Sequence, residues 1–228
     1  MSAAPIEHVV VVIPVRNEEE LLARCLRSVS SAVANLASAH VVVVLDDCDD
    51  GSEAIARTFD VELRTLAARS VGAARAIGVA HGLASSPASR SRTWIACTDA
   101  DSEVPVDWLT TQLALADEGA DVVVGTVRPD PADLTGRQLR SWASTRVDGE
   151  PNGHVHGANL GLRASVYDRV GGFSLQPEHE DVDLVQRIRS DPGVVVVATD
   201  RADVLTSGRT EGRTPGGYAG YLREAFPR

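Results

Sequence analysis

Three runs, His8–Ile13, His40–Leu45 and Thr93–Thr98, are β-branched or apolar at almost every position. A strand exposed on one face alternates polar and apolar residues, whereas one buried on both faces reads as a continuous apolar run. Helical patterns separate the runs. Residues 18–34 place Leu21, Leu22, Cys25, Leu26 and Val29 on one face, residues 53–59 form a short helix, and the Ala- and Gly-rich stretch 71–83 predicts a helix against which something packs closely. A shorter strand is expected at 61–66. Strand–helix alternation of this kind dictates a mostly parallel sheet flanked by helices and joined by right-handed crossovers. Ligands in such sheets bind beyond the carboxyl ends of the strands. At those ends stand Pro14-Val15-Arg16-Asn17-Glu18, Asp46-Asp47 and Asp99-Ala100-Asp101. The three segments are therefore expected to converge on one crevice.

The second half is less regular. Helices are expected at 106–118, 134–147, 165–170 and 180–190, and strands at 121–124, 158–162 and 194–198. Pro14 is expected to end the first strand, and the two prolines of 127–133 mark a connection. There is no internal repeat or linker. The chain reads as one α/β domain: a first half of about 1–125, a second half of about 126–205, and a flexible tail over 206–228.

Composition narrows the chemistry. A formal net charge of −10 disfavours a nucleic-acid or anionic membrane surface. All 22 basic side chains are arginine, which excludes a lysine Schiff base and the lysine of a P-loop but leaves a bidentate clamp for phosphate oxygens. Cys25, Cys48 and Cys97 are scattered, with neither disulfide framework nor zinc-like spacing, so a cytoplasmic location is expected. The longest apolar stretch, Val9–Val15, is too short to cross a bilayer, and neither a signal peptide nor an integral membrane segment is expected.

Asp99 and Asp101 form a D-x-D pair after a strand. Two such carboxylates suit Mg²⁺ or Mn²⁺, which prefers oxygen ligands and completes its shell with phosphate oxygens and water. The pair equally fits an ordinary acidic turn, and it imitates an aspartyl-phosphatase nucleophile, a reading weakened by its place on about the fourth strand and by the missing lysine. Asp46 can accept a hydrogen bond from a base N–H or simply form a turn. Asp47, Asp49 and Asp50 fit the turn better. The first strand ends without a glycine-rich fingerprint, so Arg16 and Glu18 either line a nucleotide crevice or, with Asn17, serve the next helix as cap and first turn. Arg75, among small residues, either pairs with a ligand anion or lies on a helix surface. Glu180-Asp181 opens a helix, by helix-terminus preference or to supply a general base. His154, His156 and His179 are read as core or surface residues rather than a zinc site, Trp108 and Trp142 as core. The stretch Arg209–Gly217 is basic enough to close over a diphosphate, or is a plain terminus.

Seven segments stand in register: Val11–Glu19, Val43–Asp46, Gly72–Arg75, Thr98–Asp101, His156–Asn159, Gly171–Phe173 and Glu180–Leu184. In this order they resemble the family 2 glycosyltransferases of the GT-A fold, over roughly residues 8–190. The resemblance implies a Rossmann-like first half that binds a nucleoside-diphosphate sugar, with Pro14, Val15, Arg16, Asn17 and Glu18 lining the nucleoside site. Asp46 would read the base, Arg75 would lie near base or diphosphate, Ala100 would line the donor site, Asp99 would contact the ribose or the metal, and Asp101 would ligate Mg²⁺ or Mn²⁺. Gly157-Ala158-Asn159 would lie near the sugar. Asp181 would be the base of an inverting displacement on an acceptor hydroxyl, with Glu180 as fallback. The acceptor would be small or carrier-bound, and a homodimer is compatible with the chain without residue-level support. Ala76 stands where relatives often carry Asn, and no His follows His179 to add a metal ligand. A catalytically inactive sugar-nucleotide-binding or scaffold protein therefore stays open, as does a nucleotidyltransferase of related fold.

Overall fold

A computed structural model describes residues 4–176, 178–212 and 216–227. Pro177, and Arg213, Thr214 and Pro215 of the expected tail, lie outside the described residues. The first half runs β1 (His8–Val15), α1 (Leu22–Val33), β2 (Ala39–Asp46), α2 (Ser52–Ala56), β3 (Glu62–Leu66), α3 (Val71–Ser85) and β4 (Thr93–Cys97). The second runs β5 (Ser102–Glu103), α4 (Trp108–Asp117), β6 (Val122–Pro129), α5 (Gly136–Ala143), β7 (Leu160–Arg163), α6 (Ala164–Arg169), α7 (Glu180–Arg189), β8 (Val196–Thr206) and α8 (Tyr218–Ala225).

These strands form one sheet in the order β3-β2-β1-β4-β7-β6-β8-β5. The β3-β2-β1-β4 portion is parallel throughout, as the alternation predicts, while β7 runs antiparallel between β4 and β6. The continuous apolar strands are explained by cover on both faces. Val9, Val11, Ile13 and Val15 pack with Leu22, Cys25, Leu26 and Val29 of α1 on one side. Val10 and Val12 pack with Val79 and Leu83 of α3 and with Leu184, Val185 and Ile188 of α7 on the other. The small residues of α3 permit this contact: a Cβ at Gly78 would lie 2.4 Å from Val12 Cγ1, and one at Gly82 2.2 Å from Val10 Cγ1. Helix and sheet approach closer than side chains on both would allow.

Several boundaries differ from expectation. Pro14 does not end β1. Pairing with β4 stops at Val12, so beyond it the strand has β2 alone as a ladder neighbour, and a proline is tolerated there. The connection expected at 127–133 begins as strand, because β6 pairs in parallel with β8 as far as Pro129 across an irregularity between Gly125 and Val127. That pairing also extends the last strand to Thr206. The two-residue β5 had no signal in the sequence, and the segment expected to be a flexible tail carries α8.

Asn159 is 2% exposed and sits at the centre of a polar network inside the second half. Its Oδ1 accepts from Trp108 Nε1 at 2.8 Å and Gln112 Nε2 at 3.4 Å, and its Nδ2 donates to the carbonyls of Thr126 at 2.9 Å and Ala202 at 3.1 Å. The expectation that Asn159 lies near the sugar is thus corrected, since its polar atoms are spent on the protein. Asn159→Ala strands the Trp108 indole N–H and two carbonyls in the interior, a loss of about 3 kcal/mol. Urea denaturation checks this value, and a variant as stable as the parent contradicts the structural role.

Candidate active site

The three expected segments do meet beyond the carboxyl ends of β1, β2 and β4. A cavity of about 300 Å³ is lined by Pro14, Val15, Arg16, Glu18, Asp46, Asp99, Ala100 and Asp101, together with Ser70, Val71 and Ala74 from the start of α3. Asn17 is not among the lining residues. Its backbone is left-handed (φ 51°), and its side chain exchanges two hydrogen bonds with Asp49, whose N–H donates to Asn17 Oδ1 at 2.9 Å. It locks the β1–α1 turn to the loop after β2, and the cap of α1 is Leu21 instead.

Asp46 is 3% exposed. Its Oδ1 accepts from the N–H groups of Ala68 at 2.8 Å and Arg69 at 2.9 Å, and its Oδ2 from that of Ser70 at 2.7 Å. Three of a carboxylate's roughly four acceptor positions are therefore committed to the wall of the cavity. Ser70 in turn caps α3 by accepting from the Ala73 N–H at 3.2 Å. The neighbouring acids serve the loop: Asp47 pairs with Arg69, and Asp50 accepts from the backbone of Glu19 and Ser52.

Arg75 is not a surface residue. It is 3% exposed, and its guanidinium bridges Glu180 and Asp99. Phe173 lies 5.9 Å from it, and Gly157 is seated so closely that a Cβ there would approach it to 2.3 Å. Burial acts to lower the Arg75 pKa, but Asp99 and Glu180 outweigh it and hold the charge in place. Glu180 is 2% exposed and its Oε1 is bonded to Arg75, so although it lines the same cavity as Asp181, it is a poorer candidate base than Asp181. Burial pushes the Glu180 pKa up, with Arg75 opposing.

Asp181 lines a second cavity of about 690 Å³, shared with Arg75, Asp99, Asp101 and His156. Its Oδ2 accepts from the Gly157 N–H at 2.6 Å and its Oδ1 from the Val182 N–H at 2.8 Å, which fixes the carboxylate without burying it. Trp142, Tyr218 and Tyr221 line the same cavity. Trp142 is thus not a core residue, unlike Trp108. Arg146 stacks over its ring at 5.0 Å. His156 is packed edge-on against Tyr218, and burial drops its pKa to about 4, so it is neutral near pH 7.

Asp101 and Arg209 line both of these cavities and a third, acidic one of about 1140 Å³. Arg209 Nη2 lies 2.7 Å from Asp101 Oδ2 and 2.8 Å from Glu18 Oε1. Burial raises the Asp101 pKa to about 6, with Arg209 pulling against it and the charges of Asp99 and Glu18 adding to it. Sequence reasoning placed the tail near the diphosphate site but gave no sign that Arg209 would pair with these two acids. The aromatic lining from α8 was likewise missed.

Among the described residues no group of three or more His, Cys, Asp or Glu side chains is placed to hold a metal ion. Asp99 and Asp101 do offer hard carboxylate oxygens, of the type and number that Mg²⁺ or Mn²⁺ takes when phosphate supplies the rest. None of the helices is long and apolar enough to cross a membrane, among the described residues.

Known proteins carry the same fold. TarS 1-349 of S. aureus, solved in complex with UDP-GlcNAc, superposes with a TM-score of 0.68 at 15% identity, covering 93% of this chain and 62% of that one. Mannosyltransferase PcManGT of Pyrobaculum calidifontis, in complex with GDP-Man and Mn²⁺, does so with 0.68 at 19% identity, covering 92% and 61%. In sequence, the undecaprenyl-phosphate 4-deoxy-4-formamido-L-arabinose transferase of Klebsiella pneumoniae is 31% identical over 177 residues, 74% of this chain and 51% of that protein. Its Salmonella choleraesuis counterpart is 34% identical over 148 residues, 61% and 42%. The chain thus spans about half the length of these curated relatives. The family model for glycosyl transferase family 2 matches residues 10–176, and the chain belongs to that family.

Proposed function

We propose that the protein transfers a sugar, with inversion, from a nucleoside-diphosphate sugar to an acceptor hydroxyl, using Mg²⁺ or Mn²⁺. The observation that carries this reading is that the cavity walled by Asp46 and the cavity lined by Asp181 share Asp99 and Asp101. A donor lying across that junction presents its base to the first cavity and its sugar to the second. The acceptor position that Asp46 retains beside its three backbone donors suits one N–H of a pyrimidine or guanine ring. Asp101 and Asp99 would hold the metal, which when bound neutralises charge on the departing diphosphate.

Asp181 is the base. Its carboxylate is held by two backbone N–H groups and has no Arg partner among the described residues' hydrogen bonds, so it retains capacity to accept a proton. The acceptor oxygen loses its proton to Asp181 and bonds to the anomeric carbon. The bond from that carbon to the diphosphate oxygen breaks on the opposite face, and its electron pair leaves with the diphosphate. The acceptor enters past Trp142, Tyr218 and Tyr221, whose rings give a part-apolar wall. The names of the sequence relatives favour a carrier-bound acceptor, a small one being the other form. The free thiols of Cys25, Cys48 and Cys97 fit a reducing, cytoplasmic setting.

A thermal-shift series tests the donor site. UDP-, GDP- and dTDP-sugars are expected to raise the melting temperature only with Mn²⁺ or Mg²⁺ present, and no shift with any of them removes the donor reading. Asp181→Asn is expected to keep nucleotide binding and to lower kcat by about 10²–10⁴-fold, the usual worth of a positioned base. Turnover of this variant at the parent rate takes Asp181 out of the proton transfer.

A further inference from the structure

We propose that Arg209 is a resident cation that holds the divalent-ion position at Asp101 while the donor is absent, and passes to the diphosphate when metal and donor enter. The inference rests on the donor-site reading above. Asp101 and Glu18 have side chains only 14% and 8% exposed, and the Arg209 guanidinium spans them: Nη2 to Asp101 Oδ2 at 2.7 Å and to Glu18 Oε1 at 2.8 Å, Nη1 to Glu18 Oε2 at 3.1 Å. Asp99 adds a third carboxylate nearby, but its partner is Arg75, which is already shared with Glu180. Crowded, poorly solvated carboxylates repel one another unless a cation lies among them.

The placement is built. The strand β8 ends at Thr206, the Ser207 N–H donates to the Asp101 carbonyl at 3.1 Å, and the Gly208 N–H donates to Asp133 Oδ2 at 2.7 Å. Arg209 is thereby delivered onto the acids by a short, tethered stretch of chain. Its charge is permanent, since a guanidinium does not deprotonate in proteins. A divalent ion at Asp101 would face that charge across a few ångströms, so metal binding must expel Arg209 from the carboxylate. The guanidinium fork matches a diphosphate as well as it matches carboxylates. Because Arg209 lines the cavities on both sides of Asp101, a small side-chain movement suffices for the exchange.

The exchange predicts effects of opposite sign on two ligands. Mn²⁺ binding to the full chain without nucleotide is measured by electron paramagnetic resonance of the free ion, for the parent, R209Q and R209K. R209Q should bind Mn²⁺ about 10-fold more tightly than the parent, while R209K, which keeps a charge, stays near it. At saturating Mn²⁺, UDP and GDP titrated by calorimetry should bind R209Q about 10-fold more weakly, through loss of a charge-assisted phosphate contact. Mn²⁺ affinity unchanged or lowered in R209Q overturns the resident cation, and nucleotide affinity unchanged overturns its transfer. If the parent binds neither nucleotide with Mn²⁺, the donor-site reading fails, and the Mn²⁺ comparison still decides whether Arg209 occupies the cation position.

Discussion

The buried guanidinium of Arg75 is the joint on which the site depends. It comes from α3, in the half that carries the parallel strands, and reaches Asp99 after β4 and Glu180 at the start of α7. Those two acids belong to the two halves of the chain. Removing Arg75 would leave the buried Glu180 carboxylate without its cation beside the partly exposed Asp99, and breaking a buried pair such as Arg75–Glu180 costs on the order of 3–5 kcal/mol. The gain is positional. Glu180 fixes the first turn of α7, and Asp181, one residue on, is thereby aimed into the cavity it lines. Gly157 completes the arrangement by leaving room for the guanidinium with no Cβ, while its N–H fixes Asp181.

Asp46 works the same way at the smaller cavity. A carboxylate that accepts three backbone N–H bonds sets the shape of the loop before α3, and that loop is the wall of the smaller cavity. The acids around the two cavities therefore divide into buried ones whose oxygens are committed to the protein, Asp46 and Glu180, and more accessible ones, Asp99, Asp101 and Asp181. Charge alone does not separate the two groups. Burial and the supply of backbone donors do.

That division marks the limit of what the sequence could disclose. The parallel half was legible because a strand covered on both faces must be apolar at every position, and helix α3 because its small residues announce close packing. The convergence of Pro14–Glu18, Asp46 and Asp99–Asp101 followed from topology alone, before any contact was known. Glu180 and Asp181 could not be told apart, since adjacent residues on a helix differ in sequence by one position but in direction by about 100°. Asn159 sat in a motif with Gly157 and Ala158 and was assigned to the sugar with them, whereas its environment is set by Trp108, Gln112, Thr126 and Ala202, far away along the chain. The strand β8 was cut short because its last residues are ordinary in pattern, and they are strand only because β6 offers them a partner.

The two arginines of the site make the remaining point. Each spans two carboxylates, Arg75 between Asp99 and Glu180, Arg209 between Glu18 and Asp101, and in a chain without lysine both pairings use a planar fork with fixed charge. Their burial differs: the Arg75 side chain is 3% exposed and that of Arg209 34%. Separating Arg75 from Glu180 would strand both charges away from water, whereas water reaches the Arg209 guanidinium although its two acids are only 8% and 14% exposed. The same chemistry therefore gives one pairing sealed in the interior at Glu180 and another whose cation water can reach. Solvent access, rather than residue type, sets which is which.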